Sequence, residues 1–160
     1  MQSPDLLAMR AWLGLDFSLD EIDLWFGDYI SQAPNADALA YDALNAPREI
    51  KTHLFLEFVR TRLGFEYMNA RGIAAIEAIL LELADRALAR SLSVPDFCKS
   101  VARIDAAVTS LVPSGLSWPE GLSELWNACD WCDDRWTFDN QPHLGSIIED
   151  IRRKLRSKAS

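Results

Sequence analysis

The sequence contains few residues of the kinds that carry out nucleophilic or acid–base catalysis. It has two histidines, and no P-loop, G-x-S-x-G or G-x-G-x-x-G motif occurs in it. Glu49, His53 and Glu57 share one face of a predicted helix, but a solvated charged stripe has the same spacing. These absences argue against the common nucleotide-binding and hydrolase classes, and we predict a protein that is not an enzyme.

No segment resembles a secretory signal or a membrane span. The N-terminus lacks a basic region followed by a long apolar core, and the most apolar stretch, 72–89, is interrupted by four charged side chains. The three cysteines, Cys98, Cys129 and Cys132, are an odd number without the spacing of a secreted disulfide framework. We therefore expect a cytoplasmic protein with free thiols and no membrane partner.

Basic residues are absent from one long segment and nearly absent from another. Residues 16–42 carry seven acids and no base, and residues 118–150 carry eight acids with Arg135 as their single base, within a chain of net charge −8. Both segments would repel a phosphate backbone and attract a basic protein. The charge thus predicts no direct nucleic-acid binding and favours a basic protein partner, although ordinary solvated surface has the same composition.

Signals for helix starts recur along the chain, whereas strand-like alternation is absent. Ser18 and Glu21 have the spacing of a capping box, and Gly64 is a plausible helix stop. Helices are expected to run to about Leu111 and about Asp133, with a loop at 112–117 between them. The predicted starts lie near Ser18, Pro47, Gly72, Ser93, Ser117 and Pro142. We predict an all-α fold, a single-domain helical bundle of about seven helices over 1–160.

The stretch WNACDWCDDRWTFDNQPH, 126–143, permits two interpretations of its cysteines. Cys129 and Cys132 have the gap of a zinc half-site, which Cys98 and His143 could complete. In a continuous helix, however, the same two cysteines stand one turn apart and pack as small apolar residues. The favoured interpretation has no metal and no cofactor; a small helical zinc-binding or adaptor protein centred on this region is the alternative.

The tryptophans of the same stretch are candidates for the core or for an interface. A helix from Trp118 to Asp133 would bury Trp126 in one row with Leu122 and Leu125, while Trp131 and Trp136 suit either location. Exposed aromatic anchors beside carboxylates are physically apt for capturing a basic protein, because carboxylates fork to arginine and the negative field speeds encounter.

The segments SVPDFCKSVARIDAAV, 93–108, and LSELWNACDWCDDRWTFDNQPHL, 122–144, resemble bacterial immunity proteins, the antidotes to contact-dependent inhibition and other polymorphic toxins. The resemblance implies an inhibitor without activity of its own that binds a cognate, basic toxin domain, with nucleases among the candidates. The oligomeric state stays open, because the apolar stripe from Ile73 to Leu88 suits an internal core or a dimer seam. The expected partner-facing residues are Asp130, Trp131, Asp133, Asp134, Trp136 and Asp139, with Asp20, Asp23 and Asp28 as a second acidic face.

Overall fold

The computed structural model describes residues 3–33, 35, 37–111 and 116–160, and the regular structure of these residues is entirely helical. The predicted all-α class is confirmed, and the expected count of about seven helices is close to the eight in the described ranges. The helices are α1 (Pro4–Leu13), α2 (Leu19–Gln32), α3 (Ala38–Leu44), α4 (Arg48–Leu63), α5 (Ala70–Leu88), α6 (Val94–Leu111), α7 (Leu122–Ala128) and α8 (Pro142–Ala159).

The chain forms two compact units, Met1–Tyr67 and Met68–Ser160. Each unit is a helical bundle with its own core, and the single domain expected over 1–160 stays a prediction. None of the helices in the described ranges is both long and apolar enough to cross a bilayer.

The first unit is held together by an aromatic core. The rings of Phe26, Phe55 and Phe58 are fully buried, and edge-to-face contacts join Phe26 to Phe55 at 5.7 Å and to Phe58 at 5.3 Å between ring centroids. Trp25 adds further edge-to-face contacts to the same rings. Such pairs stabilise beyond their buried area by about 0.5–1.5 kcal/mol each, so ring packing contributes to holding α2 against α4.

Several predicted helix boundaries are confirmed by their hydrogen bonds. The carboxylate of Glu21 accepts the backbone N–H of Ser18 at 2.6 Å, as a capping box requires. Gly64, in the left-handed conformation at φ 66°, ends α4. The hydroxyl oxygen of Ser93 accepts the N–H of Asp96 at 3.2 Å and starts α6.

The second unit packs α5 against α6 and α8, with α7 in contact with α6 and α8. Its one buried carboxylate among the described residues, Glu77 of α5, accepts a hydrogen bond from the Lys158 ammonium at 2.6 Å and from the Glu120 N–H at 2.9 Å. A buried carboxylate is tolerated only when it is paired and hydrogen-bonded. Glu77 thereby ties the end of α8 to the chain entering α7.

The helix expected from Trp118 to Asp133 is wrong at both ends, because α7 spans only Leu122–Ala128. It starts after Gly121, which is left-handed at φ 80°; a Cβ there would lie 2.5 Å from Cγ2 of Ile151. Glycine is therefore required by both conformation and space, and the helix cannot extend back through it. Most of the loop expected at 112–117 lies outside the described residues.

The burial predicted for Trp126 is also wrong. Leu122 and Leu125 are fully buried, but Trp126 is 43% exposed. The seven-residue α7 presents only the row through Leu122 and Leu125 to the core, and the row through Trp126 faces outward. Burial of Trp126 was expected from the longer helix, which α7 does not form.

Candidate functional site

A groove of about 650 Å³ opens on the second unit beside α7 and α8. Three of the residues expected to contact a partner, Asp130, Trp131 and Trp136, line it together. We call it the Trp131–Trp136 groove. The full lining consists of Glu124, Asn127, Ala128, Asp130, Trp131, Trp136, His143, Ile147, Asp150, Ile151 and Lys154.

Trp131 stands on a tight turn at the end of α7. The Cys132 N–H donates to the carbonyl of Cys129 at 3.0 Å and closes the turn, in which Trp131 has φ 67°. Glycine or asparagine usually takes this left-handed conformation, which bulky residues adopt only rarely. The Trp131 side chain is 87% exposed. A large aromatic ring is thus held in an unfavourable conformation without being buried.

Trp136 is presented by an irregular segment with a dense set of local hydrogen bonds. The Asp133 carboxylate accepts the N–H of Arg135 at 2.7 Å, and the Trp136 N–H donates to the Asp133 carbonyl at 3.1 Å. Further along, the Asn140 amide donates to the Arg135 carbonyl at 2.8 Å and accepts the Thr137 N–H at 2.8 Å. Asn and Asp side chains replace secondary structure in this way, so the half-exposed Trp136 has a defined position.

The charges around the groove are predominantly negative. Lys154 is paired with Glu124 at 3.5 Å, and Asp150 is paired with Arg153. The Asp130 carboxylate makes no ion pair within the part of the chain that the structure describes. Asp130 is exposed beside Trp131, so a carboxylate and an aromatic face are offered at the same opening.

Sequence reasoning missed the α8 wall of the groove. Glu124 comes from α7, whereas His143, Ile147, Asp150 and Lys154 come from α8. The last four follow the spacing of three and four residues that places side chains on one helix face. That row was visible in the sequence, but only the fold shows which neighbour it faces.

The remaining acids expected on this side do not line the groove. Asp133 is used in the turn before Trp136. Asp134 lies 3.7 Å from the Lys99 ammonium, and Asp139 lies 3.7 Å from the Arg90 guanidinium. Exposed pairs at this distance contribute about 0–1 kcal/mol each, so both acids remain available to a partner.

The second acidic face lies on α2 in the first unit. Asp23 pairs with Lys51, a buried lysine that also donates to the Leu44 carbonyl at 2.9 Å. Asp20 and Asp28 are exposed on the same helix. Asp23 therefore has a structural role in its unit, while Asp20 and Asp28 are exposed acids on the helix surface.

The three cysteines form one cluster. The Sγ atoms of Cys98 and Cys129 are 2.6 Å apart, and Cys132 interacts with Cys98 while its thiol donates to the Asp133 carbonyl at 3.8 Å. Burial, the bond to Cys98 and the nearby carboxylates of Asp133 and Asp134 raise the pKa of Cys132 to about 12. The hydrogen bond to Cys129, together with burial, raises the pKa of Cys98 far above the ordinary range of a thiol.

The histidine proposed to complete a zinc site lies at the groove, where His143 is exposed on α8. Over the described ranges, no group of three or more histidine, cysteine, aspartate or glutamate side chains is arranged to hold a metal ion. The zinc alternative therefore receives no supporting geometry from the described residues.

Comparisons with known proteins add no family to this geometry. No family model matches the chain, and neither the curated proteins nor the solved structures contain a match.

Proposed function

We propose that the protein is a binding protein that captures a basic segment of a partner protein in the Trp131–Trp136 groove. The observation that carries the proposal is Trp131, which is 87% exposed and held at φ 67° on the lip of the groove. Conformational strain of this kind costs about 1–3 kcal/mol and clusters at binding and active sites. An exposed, strained tryptophan is expected where its ring contacts something outside the chain.

The chemistry of the groove selects a cationic side chain. An arginine or lysine placed over the face of a tryptophan gains about 0.5–2 kcal/mol, more as water is excluded. The carboxylate of Asp130, which forms no ion pair within the described ranges, lies next to Trp131 and can accept charge-assisted hydrogen bonds from the same arginine or lysine. Asp134 and Asp139 extend the negative field around the site, and that field would repel a nucleic-acid backbone.

The kind of partner follows from the resemblance to immunity proteins. We propose that the protein acts in the cytoplasm as an inhibitor of a cognate toxin with a basic domain, such as a nuclease, and has no catalytic activity itself. Occupying a basic surface that would otherwise hold a phosphate backbone is a direct way to neutralise such a toxin.

The binding proposal can be tested by paired affinity capture from the native organism at low salt. The bait is the tagged full chain, compared with a Trp131→Gly, Asp130→Asn variant. A matched control carries Trp126→Ala and Glu57→Gln, an exposed tryptophan and an exposed acid that do not line the groove. We expect the same basic protein with the wild type and the control, and binding weakened roughly 30-fold in the groove variant, as for a hot spot of about 2 kcal/mol.

Equal capture by the groove variant, or an acidic partner, would contradict the binding site. The inhibitor proposal is tested separately, by expressing the captured protein alone. Growth should stop and should recover when the wild-type chain is co-expressed, but not with the groove variant. A harmless captured protein would leave binding intact and favour the adaptor alternative.

A further inference from the structure

The cysteine cluster has a geometry that neither the groove nor the fold accounts for. Cys98 lies near the start of α6 and is buried, whereas Cys129 and Cys132 lie at the two ends of the Trp131 turn and are half-exposed. The Sγ atoms of Cys98 and Cys129 are 2.6 Å apart. Since an S–S bond measures about 2.05 Å, these two side chains already point at each other and need little movement to join.

The three thiols differ in their readiness to react. The Cys132 thiol donates to the Asp133 carbonyl at 3.8 Å, whereas the Sγ atoms of Cys98 and Cys129 are in direct contact. Only thiolates are nucleophilic, and the raised pKa of Cys132 keeps it protonated at neutral pH. Cys98 is buried as well as protonated. Cys129 is half-exposed and its Sγ lies against that of Cys98, so it is the sulfur through which an external reagent enters.

We propose that Cys98 and Cys129 are a redox-active pair that a small-molecule disulfide converts into an intramolecular disulfide, with Cys132 left as a free thiol. The thiolate of Cys129 attacks a disulfide RSSR, which forms a mixed disulfide and releases RS⁻; this takes up the proton that Cys129 has lost. Cys98 then loses its proton, its thiolate attacks Sγ of Cys129, and the second RS⁻ that this expels takes up that proton. Two protein thiols and RSSR become one protein disulfide and two RSH.

The new bond would link α6 to the residue that caps α7 and begins the Trp131 turn. It would thus hold one end of the turn to a buried position in α6. This chemistry goes beyond the proposed function and does not depend on it; only an effect on partner binding would rest on the groove.

The experiment uses the reduced full chain and oxidised glutathione as the probe. Mass spectrometry should show the loss of two hydrogen atoms without a retained glutathione, and peptide mapping should join the peptides of Cys98 and Cys129. The native chain should form this bond at least about tenfold faster than the chain unfolded in urea, because folding holds the sulfurs together.

Three variants separate the roles of the sulfurs. Cys98→Ser should retain a glutathione on Cys129, since the resolving thiol is gone. Cys129→Ser should form neither the disulfide nor the adduct at neutral pH, and Cys132→Ser should form the disulfide as the wild type does. Circular dichroism checks that each variant is folded.

Three results would overturn the proposal. They are a Cys129–Cys132 bond in place of the expected one, a native chain that oxidises no faster than the unfolded chain, and stoichiometric zinc that protects the cysteines of the purified protein. Because none of these readouts involves a partner, the proposal can fail while groove binding succeeds, and the reverse.

Discussion

The left-handed conformation of Trp131 leads to a prediction about stability that is opposite in sign to the usual rule. At an ordinary helical position, glycine is less stable than alanine by about 0.5–1 kcal/mol because it loses more backbone entropy. At φ 67°, a residue with a Cβ carries a cost of about 1–2 kcal/mol that glycine avoids. We therefore expect Trp131→Gly to be more stable than Trp131→Ala by about 0.5–1 kcal/mol.

The same reasoning gives the stability of these variants relative to the wild type. Trp131 is 87% exposed, so only about an eighth of its surface is buried. That is roughly 30 Å² for a tryptophan, and its loss costs about 0.8 kcal/mol. In Trp131→Gly this loss and the backbone entropy nearly cancel the relief of strain, so its free energy of unfolding should lie within about 1 kcal/mol of the wild-type value.

Urea denaturation followed by circular dichroism measures the order of the variants, and Ala78→Gly supplies the control. Ala78 is exposed in the middle of α5, so glycine should destabilise there by about 1 kcal/mol. If glycine were also the less stable residue at position 131, the turn would not be left-handed in solution, and the observation that carries the proposed function would be lost.

Three further predictions concern the support of the groove and the thiols. Gly121→Ala should destabilise by about 2–5 kcal/mol, from its left-handed φ and the overlap with Ile151, and Ile151→Ala should recover about 1–3 kcal/mol of that loss in a double-mutant cycle of unfolding free energies. Glu77→Ala should be less stable than Glu77→Gln by about 1–3 kcal/mol in urea denaturation, because glutamine can still accept the Glu120 N–H that alanine leaves unpaired. Equal unfolding midpoints would contradict this role. Alkylation of Cys132 by iodoacetamide should rise about tenfold per pH unit until the pH nears its raised pKa of about 12, since only the thiolate reacts, and a plateau near pH 9 in a pH series would show an unperturbed thiol.

The parts of the fold that local chemistry specifies were predictable from the sequence. The capping box at Ser18 and Glu21 and the stop at Gly64 depend on residues within one or two helical turns, and both are confirmed. The end of α7 was not predictable in this way. Apolar residues at helical spacing continue past Ala128, and no local signal in the sequence indicates the left-handed turn at Trp131 that follows the helix end.

Of the groove, the sequence predicted the residues that follow α7 but not those that α8 contributes. A cluster of tryptophans and aspartates identified Asp130, Trp131 and Trp136, since aromatic and acidic residues in an irregular segment need no fold to be noticed. The α8 wall could not be assigned, because the row from His143 to Lys154 reads as any amphipathic surface helix until its neighbour is known. Which acids line an opening, and which are used in turns, is a property of tertiary structure.

The groove and the cysteine cluster meet in the four-residue turn from Cys129 to Cys132, which carries Trp131 and two of the three thiols. Strained backbone persists only where its surroundings over-determine it. Here Sγ of Cys129, at the first end of the turn, lies 2.6 Å from Sγ of Cys98, which is buried in α6, so that end of the turn contacts the core. At the other end, the Cys132 thiol donates to the Asp133 carbonyl. The two-residue gap that resembles a zinc half-site is also the gap that lets two cysteines reach one buried thiol. In this chain, that spacing places Cys129 and Cys132 at the two ends of the turn that carries the exposed Trp131.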